Sequence, residues 1–437
     1  MWAIALILTI LAIICILLLG VPVALGFLAL NAILSLVFIG YPAGGLQVVG
    51  SIESSLGNFN LLPIPLFVLM GELLFRAGVA TRALNGIALW LGRLPGKLAL
   101  VNVGTGTMFA MFSGSAVATT STVGKMVLPD MVRQGYNRQF AMSSVLAAGG
   151  LAAIIPPSSL AVLVGTIGGI SVGGMLLGGL IPGLLIAAIA AGYIIVRSMI
   201  NTSLVPTAVD TSSVDWAQRW RALFRDILPL AAIMLLVLGL ILTGVATPTE
   251  AAALGTAGSF LMAVTLGNLR AKEVLASLMS TVKVACGILL IIAGAAAYSQ
   301  MLAYSGSISG LISFTTSLDV APILIVILML FVVFLMGSPL EPVSIMLITL
   351  PAFMPIVMGL DFNPIWFGVM FLIMIDVGNL TPPLGLQLFA LSSAAGPGVT
   401  FWAIVRAAWP IIAIEVVAIA LMLAFPGIVT FLPDLLR

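Results

Sequence analysis

The sequence predicts an all-α polytopic membrane protein, built as an inverted repeat with two re-entrant hairpins and two broken helices. Three observations carry that prediction. The 437 residues are 62% hydrophobic and 7% charged, and many segments exceed the roughly eighteen apolar residues that a membrane-crossing helix needs. Four of the apolar runs are interrupted by small, polar or proline-paired stretches. These are Phe112-Ser113-Gly114-Ser115-Ala116, Ile155-Pro156-Pro157-Ser158-Ser159, Gly337-Ser338-Pro339-Leu340-Glu341-Pro342 and Gly378-Asn379-Leu380-Thr381-Pro382-Pro383. Finally, the Lys and Arg residues that mark a cytoplasmic face flank the first interruption and are missing around the third.

Composition also excludes. There is no His, which removes the usual proton shuttle and the commonest metal ligand. Cys15 and Cys286 stand alone in apolar runs and read as packing residues. A net charge of +2 gives no footprint for nucleic acid. Gly104-Thr105-Gly106 lacks the Gly-Lys-Ser that would complete a phosphate loop. Neither an enzyme nor a nucleic-acid binder finds support, and any transport would be driven by an ion gradient.

Taken in order, Met1–Leu19 has no positive leader region and no small-residue cleavage site, so it reads as a first membrane helix of about 2–19. A second helix follows at about 22–40. Residues 41–62, with one acid and no base, read as an outside loop, and a third helix runs from Pro63 to before Arg76. Arg76, Arg82, Arg93 and Lys97 make the next stretch a basic arm lying on the cytoplasmic surface. From Lys97 to Ser113 is 16 residues, roughly 24 Å of helix. That falls short of the ~30 Å hydrocarbon core, as does the return to Lys125. The chain therefore enters from the cytoplasm, turns at mid-depth and goes back. A helix from Gln139 is broken at Pro156-Pro157 and resumes to Gly168, and another spans about 174–196.

Residues 201–226, holding Asp210, Asp215, Arg219, Arg221 and Arg225, read as a cytoplasmic linker between two halves. A helix at 227–245 is followed by Thr247-Pro248-Thr249-Glu250, a threonine N-cap with proline and a third-position glutamate. The helix it starts ends at Gly267-Asn268, a short basic piece covers Arg270–Lys283, and a helix spans 284–303. The apolar pair 322–336 and 343–358 is flanked by Asp319 and Asp361, with no Lys or Arg between Val284 and Val405. This is a second hairpin, entering from outside. A second broken helix and a last helix at 407–425 complete the chain.

The halves share pillars at similar spacing: Gly114 to Pro156 is 42 residues and Gly337 to Pro382 is 45, while Pro156 to Pro182 is 26 and Pro382 to Pro410 is 28. Five crossings per half is an odd number, so the halves are inverted. The opposite charge of the two hairpins' flanks says the same. Paired discontinuous segments in inverted halves are the mark of a secondary transporter, with its site at the repeat interface.

Small residues in membrane helices most often serve close packing, but packing alone does not require matching breaks in both halves. The candidate substrate- and ion-binding residues are therefore Ser113, Gly114, Ser115, Thr119, Pro156, Pro157, Ser158, Gly337, Ser338, Pro339, Glu341, Asp376, Gly378, Asn379, Thr381, Pro382 and Pro383. The hydroxyls of Ser113, Ser115, Ser338 and Thr381, the Asn379 amide and freed backbone carbonyls suit a dehydrated Na⁺, while half-helix N-termini suit a carboxylate. Glu341 is the candidate for ion coupling or for holding its tip shut, and Asp376 for neutralising a cation or capping a half-helix. Glu72 and Glu415 read as structural.

These residues resemble the large membrane subunit of the tripartite ATP-independent periplasmic (TRAP) transporters. The resemblance runs over essentially the full length and is carried by Phe112–Thr119, Leu128-Pro129-Asp130-Met131 with Gly135-Tyr136-Asn137, Ile155–Ser158 and Ala246–Ala252. In the second half Gly337–Glu341, Leu350-Pro351 and Thr381–Gly385 carry it. Where family members often have a plain aliphatic run before the second Thr-Pro-Pro, Asp376 and Asn379 stand here. The resemblance implies a multi-pass protein of the bacterial inner membrane and a Na⁺-coupled importer of organic acids with an elevator mechanism. It also implies two partners, a small four-helix membrane subunit and a periplasmic solute-binding protein, besides the lipid bilayer and a carboxylate substrate.

On that basis residues 98–170 and 320–400 form a mobile transport core, and 1–97 and 227–319 a scaffold with its arms. Residues 171–226 are a helix and linker, and 401–437 the last helix and C-terminus. Two alternatives are a stand-alone Na⁺/dicarboxylate symporter of related architecture, and a passive channel or scaffold subunit.

Overall fold

A computed structural model describes residues 2–91, 94, 96–206, 216–267, 269–317, 319–396 and 398–436, without the side chains of 14, 17, 18, 80 and 109–113. The readings made at Arg93, Asp210, Asp215, Asn268 and the Ser113 side chain lie outside the described residues. The described chain is helical throughout, as the sequence predicts. Six of its helices are long and apolar enough to cross a membrane, and a bent pair makes a seventh.

Both expected helix pairs form, although the first returning arm runs past Lys125 to Arg133 and the second is itself long and apolar enough to cross a membrane. The arms of the first are Lys97–Ser113 and Ala116–Arg133, and those of the second are Pro322–Gly337 and Pro342–Gly359. Gly114 turns the first tip with φ +54°, a left-handed conformation that a side chain disfavours. Ser115 then caps the returning arm, its hydroxyl accepting from Ala118 N at 3.3 Å. The first broken helix consists of Arg138–Ile154 and Ser159–Ile167, bent by 43°. Two consecutive prolines cannot continue a helix, and Ser158 restarts it by accepting from Ala161 N. The second consists of Pro364–Asn379 and Leu386–Ala395, with Gly385 at φ +63° before the restart.

These eight segments pack in matching pairs. In each half the first hairpin arm lies on the first piece of that half's broken helix. The second arm of each hairpin crosses to the restarted piece of the other half, so Ala116–Arg133 packs on Leu386–Ala395 and Pro342–Gly359 on Ser159–Ile167. Arg138–Ile154 is buried at every position from Phe140 onward and Pro364–Asn379 is nearly so. Helices apolar all round belong at a centre, and these two form it.

Other elements depart from the linear reading. Residues 41–62 are not a plain loop but carry the helix Ala43–Leu56 and a short turn of helix at Phe59–Leu61. The basic piece at 270–283 runs unbroken into Ala271–Tyr304, because neither Gly nor Pro interrupts it before Gly287. A further helix, Ser307–Ser317, precedes the second hairpin. The described part of the linker, Trp216–Ile227, continues into the next helix to give a single stretch to Leu242. The arm helix Val79–Trp90 rests on that linker, where Trp90 Nε1 donates to Arg219 O at 2.9 Å and stacks edge-on with Trp220. The predicted start at Thr247 forms with both reciprocal hydrogen bonds of a capping box.

Candidate functional site

The tips and the breaks meet at one cavity of about 320 Å³. Its wall includes Gly114 and Ser115 of the first tip, Ser159 of the first restart, Glu341 of the second tip, and Asp376 and Asn379 from the end of Pro364–Asn379. Four helices begin there. Ala116 and Val117, Ser159 and Leu160, Pro342 and Val343, and Leu386 are the first residues of their helices and all line the space. Helix N-termini present unpaired N–H groups and partial positive charge, so four of them together favour an anion without any cationic side chain. No Lys or Arg lines the cavity among the described residues. Asn379 stands at the C-terminal end of its helix, where unpaired carbonyls and partial negative charge suit a cation. Its own Oδ1 is buried without a donor.

The polar wall comes from one set of segments. Ser115, Ser159, Glu341, Asp376 and Asn379 belong to 98–170 and 320–400, whereas Val68, Val284 and Ile288, contributed by Pro63–Arg76 and Ala271–Tyr304, are apolar.

The remaining candidates sit behind this wall. Ser338 fastens the second tip to the second break: its hydroxyl donates to Thr381 O at 3.0 Å and accepts from Leu384 N at 3.2 Å. Its carbonyl accepts from Gly385 N at 3.1 Å. Thr381 donates to Val377 O at 2.7 Å and Ser158 to Ala153 O at 2.9 Å. A hydroxyl that gives its hydrogen to a carbonyl keeps oxygen lone pairs for a cation. Gly337 and Gly378 face each other, so closely that a Cβ on Gly378 would lie 2.5 Å from Gly337 Cα. Thr119 is fully buried, and Pro156-Pro157 and Pro382-Pro383 are cis. Glu341 precedes the second returning arm and accepts from Ser344 Oγ at 3.3 Å.

One cluster was missed. Asp376 Oδ1 accepts from Gln387 Nε2 at 2.5 Å, and Gln387 Oε1 accepts from Thr120 Oγ1 at 3.1 Å. Glu415 closes on the same carboxylate from Phe401–Ala424, so its reading as a structural residue without a motif is incomplete. The signal was available, since an acid in the middle of a membrane helix is rare without a role. Glu72 by contrast is held by Arg76 at 2.8 Å and Ser280 at 2.7 Å, as a structural acid would be.

Residues 10–428 match the family model described as "Tripartite ATP-independent periplasmic transporter, DctM component". The chain belongs to this TRAP transporter family. It is 30% identical over 429 residues to the C4-dicarboxylate TRAP transporter large permease protein DctM of Rhodobacter capsulatus, covering 95% of this chain and 96% of that one. It is 27% identical to the sialic acid TRAP transporter large permease protein SiaM of Vibrio cholerae, covering 95% of each. Among solved structures the fold is similar to the Alcanivorax borkumensis YdaH transporter, with TM-score 0.63, 15% identity and coverage of 92% of this chain and 96% of that one. It is similar also to Neisseria gonorrhoeae MtrF, with TM-score 0.65, 13% identity and coverage of 92% and 94%. The TRAP chain is thus a membrane transport subunit of the bacterial inner membrane and not an enzyme.

Proposed function

We propose that the chain is the translocating subunit of a Na⁺-coupled importer of small organic acids, served by a solute-binding protein and working as an elevator. The observation that carries this reading is the convergence of four helix N-termini and the C-terminal end of Pro364–Asn379 on one cavity with no Lys or Arg among its described lining. An anion held there by backbone dipoles needs compensating cations nearby, and the hydroxyl, amide and carbonyl oxygens around Ser115, Ser338, Asn379 and Thr381 suit Na⁺. Na⁺ orders the tips and completes the substrate site. Relatives named for C4-dicarboxylate, sialic acid, isethionate and ectoine have in common a small solute with a carboxylate or sulfonate group.

The elevator reading is supported by the division of the cavity wall. The polar groups of this wall all belong to 98–170 and 320–400, and the scaffold contributes only Val68, Val284 and Ile288 to it. The matching packing of the two halves supports the inverted repeat. For the partners, the isethionate TRAP permease protein DctMQ of Oleidesulfovibrio alaskensis extends well beyond this chain, which covers 63% of it. We read that extra length as the small membrane subunit fused to the large one.

Uptake into proteoliposomes holding this chain with the small subunit and binding protein encoded beside it tests the reading. Uptake of a labelled organic acid is expected with a Na⁺ gradient, not with choline. Ser115→Ala and Glu341→Gln are each expected to lower it at least ten-fold at limiting Na⁺. Equal uptake in choline, or full activity in both variants, sinks Na⁺ coupling at this cavity. Uptake by the chain alone would favour a stand-alone symporter.

A further inference from the structure

We propose that Asp376 and Glu415 form a proton-binding site behind the cavity, with one proton held between their two carboxyl groups. Glu415 is fully buried and Asp376 is 1% exposed. A Cβ built on Gly150 would lie 2.5 Å from Asp376 Oδ2 and 2.5 Å from Glu415 Oε1. Both oxygens therefore point at the gap left by one missing side chain, and lie no farther apart than twice that distance. Asp376 Oδ2 and both oxygens of Glu415 have no hydrogen-bond donor. Gln387, itself oriented by Thr120, donates to the remaining oxygen of Asp376. Gly149 makes room for this side, since a Cβ there would strike Thr120 Oγ1 and Gln387 Oε1. The helix Arg138–Ile154 thus leaves two side chains out where two carboxyls and an amide come in.

Among the described residues no Lys or Arg forms an ion pair with either carboxyl. Phe401–Ala424 packs against Arg138–Ile154, Val172–Ile200, Pro364–Asn379, Leu386–Ala395 and Gly427–Asp434. Pro364–Asn379 packs besides on both arms of the second hairpin and on Ser159–Ile167. The described titratable or charged side chains on all these elements, and on the two helices themselves, are Arg138, Tyr193, Arg197, Arg406 and Asp434, with Glu341 at the second tip. Burial aside, the groups that act most strongly on the two carboxyls are each other and Gln387. Two carboxylates buried side by side cannot both stay ionised without a cation or a shared proton. A metal ion needs several oxygen ligands, and Asp376 and Glu415 belong to no group of three or more His, Cys, Asp or Glu side chains among the described residues. A proton needs only two oxygens. Three are waiting.

Because Asp376 also lines the cavity, the proton has a route to water, and its binding is linked to whatever fills that space. This consequence rests on the proposed transport site, but the proton site itself does not. The test needs neither Na⁺ nor uptake.

Infrared spectra of the full chain in lipid at neutral pH are expected to show the C=O band of a protonated carboxyl. The band should persist in Glu341→Gln and vanish in the isosteric double variant Asp376→Asn with Glu415→Gln. Thermal unfolding gives a second readout. Unfolding releases the shared proton above the ordinary carboxyl pKa, so the unfolding constant of the wild type should carry an extra ten-fold rise per pH unit that the double variant lacks. A wild type without the band overturns the proposal whatever the variants do. So does a band that survives the double substitution, or equal pH slopes in the two proteins. Stability that follows Na⁺ against choline in the wild type alone, with no difference in pH slope, overturns it in favour of a metal cation.

Discussion

Replacing Gly378 by alanine tests whether the second tip and the second broken helix are held as one body. Each glycine of the Gly337–Gly378 pair occupies the space that a side chain on the other would need. A Cβ on Gly378 would sit 2.5 Å from Gly337 Cα and 2.9 Å from Phe334 O. Carbon atoms rest at about 3.5–4.0 Å, so Pro322–Gly337 and Pro364–Asn379 must separate by roughly 1 Å or more. Forcing a methyl into a packed interior costs about 1–3 kcal/mol. The same separation strains the hydrogen bonds of Ser338 to Thr381 O and Leu384 N, and losing one adds about 1 kcal/mol. The combined loss of about 2–4 kcal/mol is read from unfolding in detergent micelles. The control is Gly239→Ala, where nothing lies within 4 Å of the new Cβ. That change should be neutral or stabilising by up to ~1 kcal/mol, since alanine is the better helix former. Equal midpoints for the two variants would show that the close approach holds nothing together.

Ser338→Ala keeps the glycine contact but removes the hydroxyl that donates to Thr381 O and accepts from Leu384 N; about 1–2 kcal/mol of stability should go, and an unchanged denaturation midpoint refutes the latch. Asn31 donates through Nδ2 to Gly294 O at 2.6 Å in a fully buried position. Asn31→Leu removes this second donor while the helix keeps the Tyr298 N–H on the same carbonyl, so a loss of about 1 kcal/mol is expected in the same assay. Glu250 accepts from Thr247 N and Thr247 Oγ1, which holds its carboxyl below the usual carboxylate range. Its stabilising effect is complete above the unfolded carboxyl pKa and fades as pH falls through the lower folded one. Glu250→Gln should therefore flatten the acid limb of the unfolding profile, and an unchanged limb means that the capping box contributes nothing.

The hairpins and breaks were legible because each rests on local chemistry that forces a turn or a restart. Gly114 accepts a left-handed backbone, Pro156-Pro157 and Pro382-Pro383 end a helix wherever they stand, and Ser115 and Ser158 restart one. Lengths pointed the same way for the entering arms, at 17 and 16 residues, although each returning arm has 18. The run from Arg270 was misread because its charges suggested a surface piece, while its backbone carries nothing to stop a helix. Hidden from the linear pattern were the contacts between halves. Gln387 lies 11 residues from Asp376 but 267 from Thr120, and neither spacing has a period that could announce the meeting.

The same limit explains Glu415. Its neighbours in sequence are apolar, so nothing beside it marks a partner, and its meaning depends on Gly150, a position whose contribution is an absent side chain. Gly149-Gly150 in a helix otherwise buried on all sides is the sequence trace of that pairing. In such a helix a glycine weakens the local backbone by roughly 1 kcal/mol, and two in succession make sense only where something enters the space they leave. Here what enters is polar, which ties the centre of the fold to the cavity wall through Asp376.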